Sequence, residues 1–245
     1  MFDTHTHLTD KAFDKDRNRM IERAKEKRVK HILCCGWDIH SSRECIELSK
    51  DYEGIYAAVG IHPHEADRDW NLKEIEELIL KNRVVAIGEI GLDFYKRYAG
   101  EENQLRLFRE QVRMAKRFKL PMSIHIREAH KMALRILKEE EYFNGALHCF
   151  SGKEEDMEEA LSLGLYISFA GPITYGSKRL ERLVRKTPLN RLLIETDSPL
   201  LPPHPKKGER NEPAYLTYIA DKVSEIKGID IREITQKNGE NCFGI

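Results

Sequence analysis

Eight times along the chain a short apolar run is followed by a longer stretch whose apolar residues recur every three or four positions, and that alternation leaves few folds open. The runs fall at 1–7, 29–36, 55–62, 84–92, 121–127, 145–150, 165–170 and 191–197. Several are apolar on both faces of a strand, as in His31-Ile32-Leu33-Cys34-Cys35 and Val84-Val85-Ala86-Ile87. That is the pattern of a parallel strand covered on both sides. Between the runs the helical period is clearest in 102–118, where Leu105, Phe108, Val112 and Ala115 make one stripe. Ser151 with Glu154 suggests a capping box opening the sixth helix, and two further helices are expected near 213–226 and 231–241. The chain is therefore expected to be an α/β protein, a single (β/α)8 TIM barrel of parallel strands over 1–245 with an extra C-terminal helix. An open doubly wound sheet would favour a glycine-rich phosphate loop after the first strand, and here that position reads His7-Leu8-Thr9-Asp10.

Barrel enzymes gather their chemistry at the C-terminal ends of the strands. Those ends carry His5 and His7, His62 and His64, Glu89, His125 and Arg127, His148, and Asp197. Six of the ten histidines of the chain stand there. Glu89 and Asp197 interrupt otherwise apolar segments, where an unpartnered carboxylate is expensive to bury. A divalent cation removes that cost, because imidazole and carboxylate oxygen are its ordinary protein ligands. Six such ligands are too many for one open catalytic zinc and suit two metals sharing a bridging carboxylate, a centre that generates hydroxide at neutral pH and clamps both oxygens of a displacement. Zinc, manganese and magnesium all fit this donor set. Two residues stay unassigned: Asp93 either accepts from a ligand histidine or closes a glycine-rich turn, and Glu195 either supports the site or lies deeper. His31, His40, His130 and His204 are expected on the surface or in loops, and Cys149 is expected to alternate away from His148 toward the helices.

The segments Asp3-Thr4-His5-Thr6-His7-Leu8, Gly60-Ile61-His62-Pro63-His64, Gly88-Glu89-Ile90-Gly91-Leu92-Asp93, Ile124-His125-Ile126-Arg127-Glu128-Ala129, His148-Cys149-Phe150-Ser151-Gly152 and Glu195-Thr196-Asp197-Ser198-Pro199 together resemble the TatD family of metal-dependent deoxyribonucleases. The likeness extends to Arg210-Asn211-Glu212-Pro213 and Asn241-Cys242-Phe243. The resemblance implies an amidohydrolase-type barrel with two divalent cations that hydrolyses phosphodiester bonds of nucleic acid as a 3′-to-5′ exonuclease. It implies that His5, His7 and Asp197 hold one metal, His125 and His148 the other, and that Glu89 bridges them. A glutamate in the bridging position, where many binuclear amidohydrolases carry a carboxylated lysine, argues against a dihydroorotase-like or phosphotriesterase-like member. On this reading Asp197 and Glu89 are catalytic, with a metal-activated hydroxide as nucleophile, while Arg127 grips a phosphate oxygen. His62 and His64 contact the scissile phosphate or protonate the leaving oxygen. The alternative keeps the site and changes the substrate, to an acyl ester as in an aminoacyl-tRNA deacylase or to a small-molecule phosphoester. A non-enzymatic scaffold is disfavoured by the full ligand set.

Forty-one basic residues balance forty-one acidic ones, so no global field draws the chain to nucleic acid or membrane. A polyanion must be held by a local patch, and Lys96-Arg97, Lys206-Lys207 and Arg210 are placed to form one on the metal rim. Tyr95, Tyr98 and Trp37 offer faces for base stacking. The partner expected is a nucleic acid, DNA foremost, with no membrane and no obligate protein partner. Five cysteines in an odd set read as reduced thiols, and a cytoplasmic location is expected.

Overall fold

In the computed structural model, which describes residues 1–245, the eight runs form eight parallel strands. They are β1 Phe2–Thr6, β2 His31–Cys35, β3 Ile55–Val59, β4 Val84–Asp93, β5 Met122–Arg127, β6 Gly145–Leu147, β7 Tyr166–Phe169 and β8 Leu192–Ile194. The strands pair in chain order. The sheet closes where β1 meets the residues just after β8, with Asp197 N donating to His5 O at 3.0 Å and His7 N donating to Ser198 O at 2.8 Å. Around this (β/α)8 TIM barrel lie α1 Arg17–Glu26, α2 Ile39–Asp51, α3 Leu72–Lys81, α4 Glu101–Phe118, α5 His130–Glu140, α6 Glu154–Ser162, α7 Lys178–Lys186 and α8 Leu216–Lys227. No helix is long and apolar enough to cross a membrane.

The extra helix, α9 Arg232–Phe243, stops the N-terminal mouth of the barrel. Its Cys242 and Phe243 join Phe2, Leu33, Ala58, Ala86 and Leu193 in one buried cluster. The rings of Phe2 and Phe243 lie 6.0 Å apart. Gly239 faces this floor so closely that a Cβ there would fall 2.5 Å from Phe2 Cδ1. The larger core lies between the barrel wall and the outer helices.

Two register shifts decide which side chains look inward at the opposite end. β1 gains one residue against β2 between Asp3 and Thr6. β4 gains one against β5 between Ile87 and Ile90. A bulge of one residue swaps the two faces of a strand beyond it. The inward face therefore passes from Phe2 to His5 and His7 in β1, and from Ala86 to Glu89 and Asp93 in β4.

Three strands end three residues earlier than expected: β3 at Val59 and not 62, β6 at Leu147 and not 150, β8 at Ile194 and not 197. Cys149 (φ 41°) and Asp197 (φ 57°) are left-handed, a conformation that cannot continue a ladder. The sixth helix starts at Glu154, and Asp156 accepts from Lys153 N at 2.9 Å, so Ser151 lies outside the cap. His40 and His204 are exposed as expected. His130 is not: as the first residue of α5 it is buried edge-on against Phe150. His31 is half-buried between Phe2 and Tyr56, 3.3 Å from Glu240.

Candidate metal centre

At the C-terminal end of the strands opens a cavity of about 500 Å³ with Glu89 in its floor. The two carboxylate oxygens of Glu89 face different imidazoles. Oε2 stands 3.3 Å from His7 Nε2 and 3.5 Å from His5 Nε2. Oε1 stands 2.9 Å from His125 Nδ1, 3.0 Å from His148 Nε2 and 3.4 Å from His62 Nε2. Asp197 Oδ1 lies 3.6 Å from His7 Nε2. Three overlapping triads, His5–His7–Glu89, His5–His148–Asp197 and His62–Glu89–His125, each bring their donor atoms within 4.8 Å of one another. The bulges explain how a first-strand pair and a fourth-strand carboxylate meet in one floor. The strand closure explains Asp197, whose amide is bonded to the carbonyl of His5 itself.

Each ring is held at its far nitrogen, and the partner decides which nitrogen is free for the cavity. His7 Nδ1 donates to Cys35 O at 3.1 Å, leaving Nε2 inward. His148 Nδ1 donates to Glu195 Oε1 at 3.1 Å, again leaving Nε2 inward. His125 Nε2 donates to Asp93 Oδ2 at 3.2 Å, so here Nδ1 faces Glu89. His5 Nδ1 is paired with Ser123 Oγ at 2.8 Å. His62 is the opposite case, because its Nδ1 accepts from His64 N at 3.1 Å. Its proton must then sit on Nε2, which makes His62 a donor into the cavity in its neutral form. His64 Nε2 donates to Asp93 Oδ2 at 3.0 Å, with its ring edge-on to exposed Tyr98.

The buried carboxylates and imidazoles of this floor hold one another charged. Burial pushes the Glu89 carboxyl up, but the imidazoles of His62, His148 and His125 outweigh it and hold it well below the usual range. Asp197 is likewise held down, burial being outweighed by His7 and His148. Burial works against protonated His7 and His148, yet Asp197 and Glu89 raise the first well above its ordinary value, and Glu89 and Glu195 raise the second. Burial lowers His5, and nearby His148 adds to the effect. Burial also takes His62 down to about 4, the carboxylate of Glu89 opposing without prevailing. The carboxylates thus gather positive charge around themselves, and protons supply it where a cation does not. Among the imidazoles of the floor, His5 Nε2 is fully buried and makes no hydrogen bond, with Glu89 Oε2 3.5 Å away. An orphaned imidazole nitrogen amid carboxylate oxygens fits a divalent cation.

The sequence reading placed His5, His7, Glu89, His125, His148 and Asp197 together, and the fold brings all six to one floor; His62, His64 and Arg127 line the same cavity. Arg127 pairs with neither Glu128 nor Glu89. Its guanidinium lies 4.0 Å over the ring of Tyr95 with no carboxylate partner. Asp93 and Glu195, which the sequence alone does not assign, are the holders of His125 and His148. Asp93 fills both roles, since its Oδ1 also accepts from Tyr95 N and Lys96 N at 3.0 Å each. The signal is present in each case: Asp93 shares the β4 face of Glu89, and Glu195 stands two residues from Asp197 in the same apolar run. Ser123 carried no such signal. Cys149 does not turn away to the helices but lines the cavity, because the strand has already ended and its left-handed φ reverses the side chain. Arg210 leaves the expected rim patch: it pairs with Asp16 at 2.6 Å and lies over Phe13, bracing α1. Lys96 and Trp37 do line the cavity.

The sequence profile of a family described as TatD related DNase matches residues 2–244. A Bacillus subtilis protein named as an uncharacterized metal-dependent hydrolase is 41% identical over 100% of this chain and 99% of its own. A protein of Escherichia fergusonii named as a 3′-5′ ssDNA/RNA exonuclease TatD is 35% identical, covering 100% of this chain and 99% of its own. Among solved structures, a TatD homolog from Escherichia coli superposes with a TM-score of 0.93 at 30% identity, covering 100% of this chain and 98% of that one. A TatD family hydrolase from Entamoeba histolytica gives 0.88 at 27% identity over 99% and 97%.

Proposed function

The chain belongs to the TatD related DNase family of metal-dependent hydrolases, and from that premise we propose that it is a nuclease cleaving phosphodiester bonds of DNA from the 3′ end, with two divalent cations in one floor. The observation that carries the reading is Glu89, whose two oxygens address two separate imidazole groups. His5, His7 and Asp197 would hold one cation, His125 and His148 the other, with Glu89 between them. When bound, such a pair supplies Lewis-acid charge at phosphorus and a water acidic enough to lose its proton near neutral pH.

The protein residues supply the rest. Asp197, buried at the barrel closure, orients the attacking water and takes its proton on the carboxylate. Arg127 presents unpaired N–H groups to a non-bridging phosphate oxygen, its plane steadied by Tyr95. His62 donates from Nε2 to the same phosphate. Asp93 and Glu195 keep the protons of His125 and His148 on the nitrogens turned away from Glu89. Held this way, the reacting groups need little reorganisation, which is where fixed dipoles contribute most.

The test is digestion of a 5′-labelled single-stranded oligonucleotide with magnesium or manganese, beside a chelated control and Asp197→Asn. Metal-dependent shortening from the 3′ end, absent from both controls, is expected. Retained activity in Asp197→Asn removes its assigned role. A silent gel across several metals moves the substrate to an acyl ester or a small phosphoester.

A further inference from the structure

A second cavity, of about 710 Å³, adjoins the first and shares Arg127 and Ser151 with it. It opens on the N-terminus of α5, an eleven-residue helix whose N-cap is Ala129. Alanine offers no side-chain acceptor, and no other side chain accepts from the first amides of that helix. His130, Lys131 and Met132, the residues of that first turn, all line the cavity. Such a turn concentrates N–H donors and partial positive charge.

An independent feature points the same way. His130 is 8% exposed, and its Nε2 is buried without any hydrogen-bond partner. Gly152 also lines the cavity, and a Cβ there would fall 2.8 Å from that nitrogen. The missing side chain lets the Gly152 backbone pack directly against the imidazole. Arg179 holds the loop from the far side, donating to Ser151 O at 3.0 Å. Lys131 and Lys153 stand at the rim with no acidic partner, as does Arg127 on the shared wall. Two acids also line the cavity: Glu128, and Asp156, which is occupied with Lys153 N.

We propose that this cavity is a phosphate subsite and that it holds the phosphate neighbouring the scissile one on a polynucleotide strand. Arg127, stacked on Tyr95 between the two cavities, then lies between adjacent phosphates of one strand. The inference rests on the nuclease reading for the identity of the strand. It does not rest on it for the existence of an anion site.

Two measurements separate the two claims. In the first, magnesium-loaded protein is titrated with inorganic phosphate while the His130 ring resonances are followed by NMR. A saturable shift of His130, abolished in Lys131→Glu/Lys153→Glu, is expected. Phosphate that moves His7 and leaves His130 unmoved overturns the site. In the second, wild type and the double variant are compared on an oligonucleotide and on a small phosphodiester with a single phosphate. The variant is expected to raise KM for the oligonucleotide and to flatten its dependence on log salt by about 0.7 for each contact removed. Hydrolysis of the small ester stays unchanged. Equal effects on both substrates, or an unchanged salt slope, refute the assignment to the neighbouring phosphate. If neither protein cleaves any phosphodiester, the nuclease reading falls while the NMR result still decides the anion site.

Discussion

Glu195→Gln isolates what a buried carboxylate does for a site it does not enter. Oε1 of Glu195 accepts from Cys149 N at 2.6 Å and from His148 Nδ1 at 3.1 Å. The amide oxygen of glutamine can take the same two bonds, with its NH₂ replacing Oε2, which has no partner in the wild type. Shape is kept and charge is lost. A hydrogen bond to a charged group contributes about 1.5–3 kcal/mol net, a neutral one about 0.5–1.5. The change at His148 is therefore about 1–1.5 kcal/mol, or roughly tenfold in an equilibrium constant. That lies at the low end of the 10–100-fold range for partners of ligating histidines. Competition against a chromophoric chelator should show about tenfold weaker metal binding, with turnover at saturating metal close to wild type. Glu195→Ala should do worse, because it leaves two buried donors without an acceptor, each costing about 1–3 kcal/mol. If Glu195→Gln binds metal as tightly as wild type but turns over slowly, Glu195 does not act through His148 and the reasoning fails.

Arg127→Lys keeps the charge but loses the planar fork and the stack on Tyr95; oligonucleotide KM should rise about tenfold, one charge-assisted bond, with kcat little changed. Gly239→Ala sets two effects against each other. Helix propensity favours alanine by about 1 kcal/mol, but the new methyl meets Phe2 at 2.5 Å, and overpacking costs about 1–3 kcal/mol. Urea denaturation should therefore show a less stable protein, and a gain would mean that α9 lifts off the barrel floor freely. Asp16 is held below the usual carboxylate range by Arg210 and Arg23. A depressed folded-state pKa gives stability above the unfolded value of about 3.9 that is lost as pH falls. The melting temperature of Asp16→Asn should lie below wild type at neutral pH and converge with it in acid; a constant gap would show that charge is not the cause.

What was legible in the sequence was whatever a strand declares locally. Runs apolar on both faces marked the strands, and a carboxylate breaking such a run marked Glu89 and Asp197. The orienting residues Asp93 and Glu195 stand in the same runs as Glu89 and Asp197 and are within reach of the same argument. The bulges are not, because register belongs to a pair of strands and neither sequence alone states it. Cys149 and His130 escape the sequence for a related reason: alternation does not announce where the strand ends, and nothing local marks His130 as the residue that opens a helix. Arg210 was lost to an ion pair with Asp16, made far away in the chain.

The closure of the barrel also orders events during synthesis. Asp3 accepts from Thr196 N at 2.8 Å and from Thr196 Oγ1 at 2.6 Å, across a separation of 193 residues. These bonds, with those of His5 and His7 to Asp197 and Ser198, join a segment made early to one made nearly two hundred residues later. An emerging chain presents both early histidines long before the aspartate that completes their set. A cation captured on the way could be held by only part of its final donors and would exchange freely. On the proposed ligand set, secure loading would wait for ring closure, a bound metal would act as a latch that records a finished barrel, and its loss should first be felt as fraying between β1 and the residues after β8.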